Sequence, residues 1–279
     1  ANNTSKMAEI ISLKLRQYGL ELRDMVSKGK SATDLQKRKT TMLGEVYHIL
    51  QICLGTPVEK FVWTLRTADG KAVSTAEYTP KQFYQEFVGK DLKNDYVMLM
   101  NDPTRPYYKL YAVDLDRHTY DGRNWTYINL PMNEIKAMAV KSLKDTTMMY
   151  MSCDVGKFLD KKTGVLDVDN YDYASLFNTT FPMNKAERIQ THASASSHAM
   201  TLMAVGLDAT GKTTKWMVEN SWGPTYGYKG HLIMTDKWLD EYLFRLVVDK
   251  KYVDAKTLDI LNQKPTLLPA WDPLFQAEQ

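Results

Sequence analysis

The chain has 279 residues, enough to bury a substantial core as one large domain or two ordinary ones. Hydrophobic residues at 44% and charged residues at 25% exclude a disordered or collagen-like chain, and two cysteines are too few for a disulfide scaffold. Thirty-six basic against thirty-three acidic side chains leave a formal charge of +3, too small a surplus to argue for nucleic acid or an anionic membrane surface, and no apolar run is long enough to span a bilayer.

The start, Ala1-Asn2-Asn3-Thr4-Ser5-Lys6, has neither an initiator Met nor the apolar core of a signal peptide, which predicts the interior of a longer chain. Apolar residues Met7, Ile10, Ile11, Leu15, Tyr18, Leu22 and Met25 then recur at helical spacing. Ser27 to Lys30 breaks that helix. A second opens on the capping-box pair Thr33 and Gln36, carries Leu35, Met42, Leu43, Val46, Ile49, Leu50 and Cys53 as its stripe, and stops at Gly55. Two helices joined by a short turn predict an antiparallel hairpin. Phe61 to Arg66 reads as a strand turning at Ala68-Asp69-Gly70, and Thr79-Pro80-Lys81-Gln82 as the capped start of a short helix through Val88. Residues 101–123 are crowded with turn residues and tyrosines. They predict an irregular, exposed excursion with Lys109 to Val113 as a possible strand. A helix follows at Glu134 to Lys144.

From Thr146 the texture changes to short strands: Met148 to Cys153, His198 to Leu207, Thr214 to Glu219, Gly230 to Met234 and Phe244 to Val248. The pattern predicts a small barrel or twisted antiparallel sheet after a helical region. Residues 265–279 hold prolines and no periodicity, and read as an extended tail without an element.

Among five histidines, His48, His118 and His231 read as structural or surface residues, and His192 with His198 lacks metal-ligand spacing; no metal or other cofactor is expected. His198 differs. It opens an apolar strand after the small-residue loop Ala193 to Ser197, while a second strand, Trp216 to Glu219, ends at Asn220-Ser221-Trp222-Gly223. A strand and its return strand bring imidazole and carboxamide within hydrogen-bond reach. The amide oxygen then fixes the ring's tautomer while the other ring nitrogen faces a nucleophile. An amide suffices where the partner is a thiol, which ionises readily. Trp222 is placed to lie over that bond and exclude water. By spacing alone a structural role for these residues stays open.

The words around them narrow the reading. His198-Ala199-Met200 and Glu219-Asn220-Ser221-Trp222-Gly223 resemble the His and Asn motifs of papain-like cysteine peptidases. Cys153-Asp154-Val155-Gly156-Lys157, Met183-Asn184-Lys185-Ala186-Glu187-Arg188, Thr214-Lys215-Trp216 and Leu268-Pro269-Ala270-Trp271-Asp272-Pro273 resemble the bleomycin hydrolase and aminopeptidase C branch, from about Asn3 to the C-terminus. The resemblance implies an α+β chain. Residues 1–145 would be a helical, hook-like insert region, 146–264 the barrel-like half of a papain-like catalytic domain, and 265–279 an arm reaching the active-site cleft. It also implies a homohexamer that removes N-terminal residues from peptide substrates. His198 would be the general base and Asn220 its orienter, with Trp222 and the C-terminal Gln279 meeting substrate.

The family's Gln-x5-Cys-Trp segment has no counterpart here. Cys53 and Cys153 read as small buried core residues, so the nucleophile is expected on a separate N-terminal fragment of the same protein that completes the fold. The alternative is a non-catalytic homologue serving as an oligomeric scaffold or peptide-binding shell. The charge and the want of a basic cluster argue against a nucleic-acid partner. Two cysteines permit a reducing compartment, which favours cytoplasm and leaves the location open to a presequence on the absent segment.

Overall fold

The computed structural model describes residues 4–275, and the chain divides into two compact units between Lys90 and Asp91. In the first unit, α1 (Ser5–Ser27) and α2 (Ala32–Leu54) form the antiparallel hairpin their apolar spacing predicts. Ser31 caps α2, its side chain accepting from Asp34 N, and the Thr33–Gln36 pair lies inside the helix. The extended backbone that a cap needs ends at Ser31. Polar anchors hold the pair. The Tyr18 hydroxyl donates to Glu45 Oε2 at 2.5 Å, and the Arg38 fork donates to both Glu21 oxygens at 2.5 and 2.9 Å. Much of the predicted stripe, including Ile10 and Leu15, stays exposed, and so does Cys53, which was expected in a core. A two-stranded hairpin of β1 (Phe61–Arg66) and β2 (Ala72–Tyr78) leads into α3 (Pro80–Phe83). Its capping box is complete, since Thr79 Oγ1 accepts from Gln82 N and Gln82 Oε1 accepts from Thr79 N.

The second unit is built on one mixed sheet. In chain order its strands are β3 (Tyr96–Met100), β4 (Lys109–Val113), β5 (Thr126–Asn129), β6 (Met149–Cys153), β7 (Leu159–Asp160), β8 (Val165–Leu166), β9 (His198–Leu207), β10 (Thr213–Glu219), β11 (His231–Thr235), β12 (Leu243–Asp249) and β13 (Thr266–Leu268). In space they run β13-β4-β5-β3-β12-β6-β9-β10-β11-β8-β7. Helices α4 (Met132–Lys144), α5 (Tyr173–Phe177), α6 (Lys185–Gln190), α7 (Asp236–Tyr242) and α8 (Ala255–Asp259) complete an α+β unit. The central strands β12, β6, β9, β10 and β11 pair antiparallel. The main core joins Leu99, Met151, Val218, Leu232 and Leu246 of the sheet to Ile135 and Met138 of α4 and Trp238 of α7, all buried. Each such side chain contributes roughly 1.5–3 kcal/mol of burial.

Two expectations are corrected. Residues 101–113 are not an exposed excursion: Asn101 and Asp102 are buried, and β4 lies in the sheet between β13 and β5, whereas residues 115–123 run as irregular, mostly exposed chain as expected. Leu110 faces the main core, while Tyr111 and Val113 belong to a second apolar cluster with Met100, Tyr127 and Leu274. A strand buried on both faces has no alternating pattern to read. The sheet therefore gathers β3, β4 and β5 from ahead of residue 146. Nor are residues 265–275 without an element. β13 pairs parallel with β4, Leu274 is sealed, and Arg105 Nη2 donates to both oxygens of Asp272 at 3.1 and 2.9 Å. A three-residue edge strand whose partner is remote in sequence leaves no periodicity. Gln279 lies outside the described residues.

Candidate active site

β9 and β10 pair antiparallel, Glu219 opposite Thr201, so the start of β9 and the residue just past β10 meet at one end of the sheet. The register shifts between Met217 and Val218, leaving Met203 without an opposite residue, a bulge that re-aims the strand ahead of the site. Beyond β10 the chain turns through Gly223, Gly227 and Gly230 and returns as β11, with Asn220 N donating to Gly230 O at 3.0 Å. Gly227 is required there. A Cβ on it would stand 2.4 Å from His231 O, and its φ of +57° lies in the left-handed region.

His198 Nε2 lies 2.9 Å from Asn220 Oδ1. The same oxygen accepts from Ser221 N at 2.8 Å, which fixes the amide's orientation, since a backbone N–H cannot donate to an NH2 group. Oδ1 can only accept, so Nε2 carries the proton that is shared. Nδ1 of this half-buried ring has no hydrogen-bond partner among the described residues. Asn220 Nδ2 is buried and unpartnered among them as well. Trp222 packs on the imidazole with ring centroids 5.2 Å apart at 34°, and Tyr226 meets Trp222 edge-on at 4.8 Å. Trp222 is still 38% exposed, shielding one face of the ring while keeping an apolar surface open. A shallow depression lined by Tyr150, Ala199, Met200, Thr201, Glu219, Asn220 and Ser221 opens beside the pair.

The small-residue loop before His198 is pinned to β6 and its continuation. Ser194 Oγ donates to Asp154 Oδ2 at 2.8 Å, Ser196 Oγ meets Ser152 Oγ at 2.7 Å, and Ser197 Oγ donates to Cys153 O at 3.3 Å. Ser152 and Ser196 are the supporting residues that sequence reasoning passed over. The signal was a serine inside the apolar run Met149 to Cys153 and another in a loop already marked by its small residues.

Cys153 is not an activated thiol at this pair. Cys153 is the ladder partner of His198, yet it is fully buried in the main core, and burial with the adjacent Asp154 carboxylate pushes its thiol well up. Cys53 lies on α2 in the other unit.

An imidazole held by a carboxamide, shielded by an indole and left with one free nitrogen is suited to serve a thiol nucleophile. The comparisons agree in class. Residues 1–275 match the Peptidase C1-like family, and the chain belongs to it. The human bleomycin hydrolase is 40% identical over 97% of the chain and 61% of its own length, and the aminopeptidase C of Streptococcus thermophilus is 34% identical over 98% and 62%. PepW from Lactobacillus rhamnosis HN001 superposes with a TM-score of 0.90 at 38% identity, covering 97% of this chain and 61% of that one. The chain thus spans about three fifths of the length of the curated relatives it matches.

Proposed function

We propose that this chain is the part of a cysteine-type aminopeptidase that carries the general base His198 and its orienter Asn220, in the barrel-like half of a papain-like catalytic domain. The nucleophilic cysteine would come from an N-terminal segment of the same protein. The observation that carries the reading is the oriented pair itself: an imidazole whose Nε2 is committed to Asn220 and whose Nδ1 has no partner among the described residues. The missing thiol is sought elsewhere because Cys153 is sealed with a raised pKa, and because the relatives are longer than this chain.

In the assembled enzyme the thiolate attacks the scissile carbonyl carbon, and His198 gives its proton to the leaving amine as the C–N bond breaks. Water then attacks the thioester while His198 takes a proton back, and the C–S bond breaks to release the acid. Trp222 keeps water from the His198–Asn220 bond and borders the substrate. The substrates are peptides trimmed from the N-terminus, and the assembly is a homohexamer. Residues 265–279 form an arm into the cleft, whose last residue, Gln279, would offer its carboxylate to the substrate's ammonium. The position of Leu274, whose carbonyl accepts from Ser196 N at 2.8 Å two residues ahead of His198, supports that path.

A thiol-reactive epoxide tests the assignment on the complex of this chain with the N-terminal segment. The adduct is expected on a cysteine outside residues 1–279, with release of N-terminal residues lost in step. An inactivating adduct on Cys153 contradicts the reading. Peptide binding with no thiol modified in either chain points instead to an oligomeric scaffold or peptide-binding shell.

A further inference from the structure

Behind His198 lies a hydrogen-bonded chain with only one consistent direction. Ser152 Oγ donates to the His198 carbonyl at 3.1 Å. A hydroxyl has one proton, so the 2.7 Å contact between Ser152 and Ser196 must be Ser196 donating to Ser152. Ser196 Oγ in turn accepts from Arg245 Nε at 2.9 Å, and Arg245 Nη2 adds a longer contact of 3.4 Å to Ser152 Oγ. The run is therefore Arg245 to Ser196 to Ser152 to the His198 backbone. It starts on a guanidinium, whose positive charge polarises each bond toward the next. Both serines are buried, at 1% and 7% exposure, so no water competes for these hydroxyls.

The same group touches the C-terminal segment. Ser196 N donates to Leu274 O, and the Arg245 guanidinium lies 5.5 Å from the Phe275 ring centroid. Arg245 Nη1 also reaches Tyr127 OH at 3.4 Å, and that hydroxyl donates to Asp116 Oδ2 at 2.6 Å. Arg245 sits on β12 opposite Ser152 of β6, so its backbone is held by the middle of the sheet. Two residues beyond this hub, the chain presents the imidazole to Asn220.

We propose that Arg245, Ser196 and Ser152 are positioning residues for His198, and that they make its geometry depend on residues 274 and 275 being seated. The proposal rests on the reading of His198 as the oriented base. Seating of the segment fills the Leu274 contact and the space under Arg245; Ser196 then holds one orientation, and Ser152 aims the His198 carbonyl. With the segment unseated, Ser196 loses its backbone acceptor and Arg245 its ring.

The test follows the Nε2–H proton of His198 by 15N-edited NMR in the 279-residue chain, where its exchange with water reports the Asn220 bond. Four variants are compared with the wild type: Ser196→Ala, Ser196→Thr, Arg245→Met, and a chain ending at Pro273, which retains the Asp272–Arg105 pair. Ser196→Ala, Arg245→Met and the shortened chain are each expected to speed that exchange by about tenfold, the net worth of one hydrogen bond, while Ser196→Thr restores it. Unchanged exchange in Ser196→Ala and the shortened chain, even with a lower melting temperature, overturns the proposal and leaves the network a packing feature. A wild-type ring protonated at Nδ1 instead overturns the reading of the base itself.

Discussion

Replacing His198 with alanine in the assembled enzyme is expected to lower kcat/KM for release of an N-terminal residue by about 10⁴-fold or more. The imidazole would act twice, as acid toward the leaving amine and as base toward the deacylating water, and among the described residues no other titratable side chain is hydrogen-bonded at Nδ1 to replace it. The lining of the adjoining depression offers Tyr150 and Glu219, but neither is hydrogen-bonded to the ring. Asn220→Ala is expected to cost less. It removes one hydrogen bond to a ring that becomes charged during turnover, worth about 1.5–3 kcal/mol, or about 10- to 150-fold. The ring keeps Trp222 against its face at 5.2 Å and the Ser152 contact to its carbonyl, so part of its orientation survives. Steady-state kinetics of the two variants check the assignment. Equal losses would contradict the division of labour between base and orienter.

The second large effect is on stability. Lys185, at the first position of α6, is buried, and its Nζ donates to Asn101 Oδ1 at 2.6 Å, Leu243 O at 2.6 Å and Asp240 O at 3.0 Å, over the Phe244 ring at 4.9 Å. These acceptors come from the end of β3 and from the junction of α7 with β12. Three acceptors use all three protons of an ammonium. Lys185→Met keeps the stem but leaves those acceptors buried without a donor, a loss of about 3–5 kcal/mol when several of about 1–3 kcal/mol each are partly relaxed. For a unit of this size that is a fall of roughly 10 °C in melting temperature. Burial pulls the ammonium down to about 7. The folded value lies below the unfolded one, so the penalty of burying charge is full below about pH 7. It is relieved as the pH rises toward the unfolded value of about 10.4. The gap between wild type and Lys185→Met should therefore widen from pH 7 to pH 10, as read by denaturant unfolding. A gap that narrows over that range would contradict a folded Lys185 whose charge is disfavoured by burial.

Much of the site was legible in the sequence because its parts are local. His198 opens one strand and Asn220 closes the next, and antiparallel pairing of neighbours needs only a turn. The Thr79 capping box and the β1 strand were readable for the same reason: each is decided by adjacent residues. What escaped was decided at a distance. β3 pairs with β5 and with β12, far along the chain, and the burial of β3 and β5 on two faces erases alternation. β13 is visible only as an addition to β4. Arg245 looks like any charge in a strand until Ser196 and Ser152 are folded against it. Cys53 shows the reverse failure, since an apolar helical stripe predicts a buried face only where something covers it.

The geometry of the site comes down to one physical statement: the His198 ring donates its Nε2–H to Asn220 Oδ1 and leaves Nδ1 without a partner among the described residues, open to the thiol proposed on another segment. The most direct check is the tautomer of His198, read from the 15N shifts of its two ring nitrogens at a pH where the ring is neutral. The account predicts the proton on Nε2, with that signal lost in Asn220→Ala. A proton on Nδ1, or a ring indifferent to Asn220, would contradict it.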